Sequence, residues 1–227
     1  MIGTAEGRLD EIQGVARPTA GAEVTGKLYR RYFKRVLDLF IVLAASPVIL
    51  PVVLILAFLI KRDGGSAFYT QSRIGKGGRE FKIWKLRSMV ANADQMLESY
   101  LAENPEARAE WDRTQKLKKD PRITPVGRLI RKTSLDELPQ LWNVFIGDMS
   151  LVGPRPMLPE QVSLYPGRAY YALRPGLTGF WQISSRNSTS FAGRSAFDNR
   201  YNRRLSLYTD ILVILATVRV VLRGTGY

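Results

Sequence analysis

Cysteine and histidine are both absent from the 227-residue chain. The first absence excludes disulfides and thiolate chemistry and suits a reducing compartment. The second excludes histidine-dependent triads and imidazole metal sites. Acid–base or nucleophilic chemistry therefore falls to carboxylates, Lys, Tyr, Ser or Thr. A metal, if used, is expected to be a hard cation on oxygen ligands, such as Mg²⁺. Negative charge is scarce too: 20 Asp and Glu stand against 34 Lys and Arg, a formal charge of +14. That balance calls for an anionic partner, whether nucleic acid, anionic lipid or a phosphorylated small molecule. Internal repeats and low-complexity blocks are missing. The length suits one ordinary domain with an appendage.

Residues 1–26 show no hydrophobic period and read as a disordered tail. From Lys27 the character changes. Lys27, Arg30, Arg31, Lys34 and Arg35 alternate with Tyr29, Tyr32 and Phe33, a mixture suited to a membrane interface. The 22 residues from Leu39 to Ile60 carry no charge, and as a helix they reach roughly 33 Å, enough to span a bilayer core. A cleaved signal peptide does not fit, because the run is long, starts late and contains Pro47 and Pro51. A single transmembrane helix is the simplest reading. Lys61 and Arg62 close the run, however, and Arg73, Lys76 and Arg79 follow, so both flanks satisfy the positive-inside rule. Ser46-Pro47 lies near the middle, where proline removes a backbone donor and bends a helix. A helix that enters, bends at Ser46-Pro47 and leaves on the same side accommodates both features. Ser46 can then bond backbone groups freed by the bend.

Residues 66–88 predict a β-hairpin turning at Gly75-Lys76-Gly77-Gly78; no P-loop or Rossmann spacing surrounds this glycine cluster. Residues 91–103 predict an amphipathic helix with Ala93, Met96, Leu97, Tyr100 and Leu101 on its apolar face. Leu207, Ile211, Leu215, Val218 and Leu222 repeat at helical spacing near the C-terminus, in a helix expected to pack on the domain or lie on the membrane.

The densest chemistry lies between Asp120 and Pro156. Arg128, Arg131 and Lys132 precede Ser134-Leu135-Asp136-Glu137-Leu138-Pro139, and Gly147-Asp148-Met149-Ser150 precedes Gly153-Pro154-Arg155-Pro156. Adjacent carboxylates beside a basic cluster suit a phosphate site with a metal or a nucleophile. Ser134-x-x-Glu137 also reads as a capping box, with Asp136 as a first-turn acid. The two readings are compatible, since the helix dipole and neighbouring arginines would keep a carboxylate there ionised, and free N–H groups there can hold phosphate oxygens.

Taken with Lys34-Arg35-Val36-Leu37-Asp38, Ser46-Pro47, Phe81–Met89, Arg131–Gln140, Arg174-Pro175-Gly176-Leu177-Thr178-Gly179 and the Tyr201 region, the chain resembles the monotopic bacterial phosphoglycosyl transferases. The resemblance runs from about Lys34 to the C-terminus. The short N-terminus and Asp63–Tyr69 look most like the exopolysaccharide-initiating members that transfer galactose or glucose 1-phosphate. It implies an α+β, mostly helical, monotopic protein on the cytoplasmic face of the bacterial inner membrane. The expected parts are the tail 1–26, a basic interfacial segment with a re-entrant helix at 27–62, and a cytoplasmic catalytic domain at 63–227. The implied partners are a UDP-hexose, undecaprenyl phosphate and membrane phospholipids, with Mg²⁺ as cofactor; self-association into a homo-oligomer stays open. Asp136 would be the nucleophile on the β-phosphate, giving UMP and an aspartyl phosphosugar that the lipid phosphate resolves. Glu137 would complete the dyad as a Mg²⁺ ligand or proton acceptor, with Asp136 beside it at the metal. Arg131 and Arg155 match phosphate-binding positions, and Asp198 and Asp210 match acidic positions of the family. Many members carry Gly-Arg-Asn after the Trp-Gln segment. This chain has Ser185-Arg186-Asn187, which restricts the backbone at 185 but retains Arg186 and Asn187 for the nucleotide.

Two other classes compete. The charge suits a basic nucleic-acid-binding protein, but the uncharged run opposes it and no helix-turn-helix or RNA-binding signature is present. A catalytically dead membrane adaptor is opposed by the intact Asp136-Glu137 pair.

Overall fold

A computed structural model describes residues 28–62, 64–114, 117–184 and 190–222. The expected tail at 1–26 therefore lies outside the described residues, as do Lys27, Arg186 and Asn187. The fold is mostly helical with two small sheets.

A π-helical turn, Tyr29–Phe33, runs into helix α1, Lys34–Lys61. Pro47 and Pro51 sit inside α1, which continues through both. Pro47 has no N–H to give the carbonyl of Leu43, one turn back. The Ser46 hydroxyl donates to that same carbonyl at 2.8 Å, so the orphaned acceptor is satisfied within the Ser-Pro pair. From Tyr29 to Lys61 the helix is long and apolar enough to cross a membrane.

Both halves of α1 rest on one body. In the first half, Leu37, Ile41 and Val42 join a core with Ile83, Val144, Leu151 and Phe180. In the second, Val52, Val53, Leu56, Ala57 and Ile60 join Ala67, Leu86, Val126, Ile130 and Leu135. Burying a side chain such as Leu56 or Ile60 contributes about 1.5–3 kcal/mol. The opposite flank, with Phe40, Leu43, Val48, Leu54 and Phe58, is bare.

Strands β1 (Phe68–Ile74) and β2 (Glu80–Leu86) form the antiparallel hairpin, from Phe68↔Leu86 to Ile74↔Glu80. Gly77 and Gly78 turn it at φ 71° and 79°, where any other residue would be strained. Helix α2, Ala93–Glu103, buries the predicted face: Leu101 is buried, and Ala93, Met96, Leu97 and Tyr100 are half-buried. Helix α3, Pro105–Thr114, packs on it.

Helix α4, Pro125–Lys132, starts by local chemistry. Thr124 Oγ1 accepts from the Gly127 N–H at 2.9 Å, and proline occupies the first turn. Helix α5, Gln140–Ile146, ends on Gly147 at φ 96°. There Arg35 donates to the terminal carbonyls of Val144 and Phe145.

Strand β3 (Ser150–Val152) runs parallel to β4 (Gly176–Thr178). Short helix α6, Ala169–Ala172, precedes β4, and α7, Phe180–Ile183, follows it. Helices α8, Arg194–Arg204, and α9, Leu207–Leu222, complete the order.

Helix α9 turns its apolar stripe outward. Leu207, Ile211, Leu215 and Val218 are exposed, while Asp210 and Val213 are buried. The helix packs through a partly polar stripe because its polar groups find partners there. Thr217 meets Thr178 Oγ1 at 2.7 Å, and Asp210 meets three donors. The exposed apolar face agrees with the alternative placement of this helix, on a membrane.

Candidate active site

The Asp136-Glu137 pair lies on a 3₁₀ turn, Leu135–Glu137, just beyond α4. Ser134 enters that turn at φ 58°, the one non-glycine residue with positive φ among those described. Such a conformation costs roughly 1–2 kcal/mol and persists where surrounding structure enforces it.

This geometry overturns the capping box. The Ser134 side chain caps nothing, since a Ser N-cap needs an extended backbone. The Glu137 carboxylate turns instead to Lys85, whose Nζ lies 2.7 Å from Oε1, with Arg155 Nη2 4.0 Å from the same oxygen.

Lys85 is delivered by β2, and α5 holds that strand. The Asn143 side chain accepts from Trp84 N–H at 3.0 Å and donates to the Lys82 carbonyl at 2.8 Å. One buried side chain thus acts as a neighbouring strand for the segment that carries Lys85.

Arg155 is placed by two backbones in close passage. Gly153 N–H donates to the Thr178 carbonyl at 2.8 Å, and Gly176 N–H to Pro154 at 2.7 Å. A Cβ on Gly176 would stand 2.1 Å from Gly153 N, so only glycine fits there. Just past Arg155, Met157 accepts from Ile74 N–H at 3.0 Å, which ties the segment to the end of β1. The Arg155 guanidinium then stands 5.8 Å from the Trp181 ring centroid.

Electrostatics corrects a second expectation. Burial pushes Asp136 up to about 6, opposed by the nearby Lys85 and Arg131 charges and reinforced by Glu137. Burial therefore outweighs the cations that were expected to favour ionisation. At pH 7 the group is still mostly a carboxylate.

Beyond Arg155 a narrow cleft, with room for about one water molecule, is lined by Met157, Tyr165, Tyr170, Phe191, Arg194 and Asp198 together with Arg155 and Trp181. Asp198 accepts from the Tyr165 hydroxyl at 2.6 Å. Burial raises it to about 6, against the effects of that bond and of Arg194.

Of the expected site residues, the structure groups Asp136, Glu137, Arg131 and Arg155, with Asp198 across the adjoining cleft. It does not bring in Asp210. That carboxylate is 1% exposed and accepts from Tyr29 at 2.6 Å, Lys34 at 2.7 Å and Tyr201 at 2.7 Å. It ties the start of α1 to α9, apart from the residues grouped around Asp136. Lys85, Arg73, Trp181 and Arg194 join the site without having been singled out. Lys85 lay within the matching stretch Phe81–Met89, but nothing in its spacing pointed to Glu137. No group of three metal-ligating side chains gathers among the described residues.

The family model for bacterial sugar transferases matches residues 29–224. The chain belongs to the bacterial sugar transferase family. Within that family it is 49% identical, over 198 residues, to the UDP-galactose-lipid carrier transferase of Erwinia amylovora. It is 47% identical over 224 residues to the exopolysaccharide production protein ExoY of Rhizobium meliloti, and 46% over 207 residues to the undecaprenyl-phosphate galactose phosphotransferase of Salmonella typhimurium. These alignments cover 86%, 96% and 90% of this chain. The chain spans 42% of the Erwinia protein, 43% of the Salmonella protein and 93% of ExoY. The family match takes in α1 and the Asp136 turn alike.

Proposed function

We propose that the chain transfers a hexose 1-phosphate from a UDP-hexose to undecaprenyl phosphate, as the first membrane step of exopolysaccharide synthesis. The observation that carries this reading is a half-buried, ionisable Asp136 on a turn entered at positive φ, flanked by Glu137, Lys85, Arg131 and Arg155. A carboxylate oxygen of Asp136 attacks the β-phosphorus. The bridging P–O bond breaks, UMP leaves with that electron pair, and the sugar phosphate stays on Asp136. An oxygen of the lipid phosphate then attacks the same phosphorus and restores the carboxylate. Arg155 and Arg131 neutralise the phosphates, while Lys85 holds Glu137 in place.

Asp136 and Glu137 offer two hard oxygen donors. Mg²⁺ is commonly held by one or two carboxylates plus substrate phosphates and waters, so this donor set fits the ion without a third carboxylate. Bound there, Mg²⁺ supplies charge neutralisation at the diphosphate.

In the same reading α1 is re-entrant, 63–227 is the cytoplasmic catalytic domain, and the protein is monotopic in the inner membrane. Support comes from basic residues on both flanks of the run and from the docking of both halves of α1 on one body. A spanning helix would carry one half away from that body. Single cysteines at Arg31 and Lys76 are expected to share one fate with a membrane-impermeant reagent: unlabelled in intact cells, labelled in inverted vesicles. Labelling of only one position contradicts the topology. Replacing Pro47 and Pro51 together is expected to favour a straight spanning helix and separate the two fates.

Turnover should follow the ionisation of Asp136. Burial raises the metal-free carboxyl to about 6, and a Mg²⁺ on the dyad would lower it again, so kcat/KM is expected to hold at pH 7 and to fall toward tenfold per unit on the acid side of the metal-bound value. Turnover that rises as the pH falls through that range contradicts the nucleophile assignment. The function itself is tested by incubating the solubilised chain with Mg²⁺, undecaprenyl phosphate and a panel of UDP-sugars, and measuring UMP. Release is expected with a UDP-hexose; its absence across the panel contradicts the reading.

A further inference from the structure

Asn143 is fully buried on α5, and its amide is divided between two backbone groups of β2. Oδ1 accepts from Trp84 N–H at 3.0 Å, and Nδ2 donates to the Lys82 carbonyl at 2.8 Å. These partners fix which end of the amide faces which group, since an N–H needs an oxygen and a carbonyl needs an N–H. Aspartate has the same shape but would set a carboxylate oxygen against the Lys82 carbonyl. Nδ2 also lies 3.4 Å from Asp148 Oδ2, and the Asn143 carbonyl accepts from Gly147 and Met149 N–H at 3.1 Å each. One residue therefore joins β2, α5 and the turn that leads through β3 to Arg155.

Apolar packing alone would hold this contact less sharply. Ile83 and Val144 share a core cluster, but hydrophobic burial is non-directional and tolerates a strand sliding along a helix. Sliding matters because Lys85 follows Trp84 directly. A strand advances about 3.3 Å per residue, so a slip of half a residue would move the base of the Lys85 side chain by about 1.7 Å. Its Nζ now lies 2.7 Å from Glu137 Oε1. Glu137 stands on the other side of the same contact. It precedes α5 in a helical run whose bonds, Leu141 N–H to Leu138 and Trp142 N–H to Pro139, span three residues. That spacing sets residues three apart on one face, so Glu137 and Asn143 both turn toward β2.

We propose that Asn143 is a positioning residue for the transfer reaction: by locking β2 onto α5 it sets where Lys85 meets Glu137, and so the placement of the dyad. The proposal rests on the transfer reading above and adds a residue that acts through Lys85. Misplacing catalytic groups by about 1 Å can cost on the order of 10²-fold in rate. The role therefore shows in turnover, and only while Lys85 is present. A residue that merely fills the core acts through stability instead, with or without Lys85.

The test is a double-mutant cycle, read as UMP release by the solubilised full chain with UDP-hexose, Mg²⁺ and undecaprenyl phosphate, below the melting onset of every variant. Asn143→Asp and Asn143→Ala are each expected to lose about tenfold to a hundredfold in kcat, with KM within about twofold of wild type. Lys85→Met is expected to lose at least as much. Adding Asn143→Ala to Lys85→Met is expected to cost less than about twofold more, because the lysine that Asn143 places is gone. Wild-type kcat in either Asn143 variant, a loss confined to KM, or losses that multiply in the double variant overturns the proposal. If both Asn143 variants melt too early, Asn143→Gln replaces them. It keeps the amide but moves it by one methylene, and the same Lys85-dependent loss is expected. Failure of that variant to fold as well makes Asn143 a residue of the fold alone and overturns the proposal. The transfer reading is scored separately, by UMP release from wild type. Its absence removes the reaction, whereas wild-type release with losses that multiply removes only the positioning role.

Discussion

Asp136→Asn is expected to lose turnover on the order of 10³-fold or more while melting no lower than wild type at pH 7.5. The first half follows from chemistry, since an amide is a very poor nucleophile. The second follows from linkage. The folded-state value of Asp136, about 6, lies above the ordinary carboxylate value of about 3.9. The native state therefore binds the proton more tightly than the unfolded chain, and stability falls as pH rises between the two values. Above pH 6 the whole cost of the buried charge is present, and a neutral isostere removes it. Any melting advantage of Asp136→Asn should thus appear above pH 6 and vanish below pH 4. A helix-cap role predicts the reverse, an Asn variant slightly destabilised at pH 7.5 with activity intact. Glu137→Gln should differ from both. It weakens the pairing with Lys85 and a candidate metal donor, so turnover should fall while the nucleophile remains.

Asp210→Ala is expected to cost about 3–5 kcal/mol, because it leaves Lys34 charged and buried without its partner. It also removes the acceptor of two tyrosine hydroxyls. Thermal melting in detergent should show a midpoint lower by roughly 10 °C. Asp210→Asn should lose less, since the amide oxygen can still accept from the tyrosines. Pairing Asp210→Leu with Lys34→Met removes both charges and should recover much of the loss. Wild-type melting with weakened UDP-hexose binding would return Asp210 to the substrate set.

The contrast between Asp136 and Asp210 shows what was legible in the chain. Locally determined parts could be read directly: the hairpin from its glycine turn, α2 from its 3.6-residue apolar period, and Ser46 as the donor to a backbone carbonyl that Pro47 leaves unpaired. The dyad was legible as a pair of acids beside basic residues. Its immediate surroundings were not, because they are assembled over long range. Lys85 reaches Glu137 across 52 residues of chain, through a strand that Asn143 secures. Arg194 reaches the cleft from α8. The same cause explains the errors. Ser134-x-x-Glu137 has capping-box spacing, but the backbone at Ser134 is left-handed and Glu137 has a stronger partner in Lys85. On α9 the apolar stripe left two placements open, on the domain or on the membrane, and did not reveal the inner face. The true inner face contains Asp210 and Thr217, polar residues that become good core residues only once Lys34, Tyr29, Tyr201 and Thr178 have come to meet them.

The covalent role of Asp136 is tested most directly by mass spectrometry of the chain after incubation with UDP-hexose and Mg²⁺ in the absence of lipid acceptor. Wild type is expected to gain one hexose phosphate on the peptide containing Asp136, to lose it when undecaprenyl phosphate is added, and Asp136→Asn to gain none. An unmodified wild-type peptide under conditions that support turnover, or substantial turnover by Asp136→Asn, would contradict the account and leave direct attack by the lipid phosphate in its place.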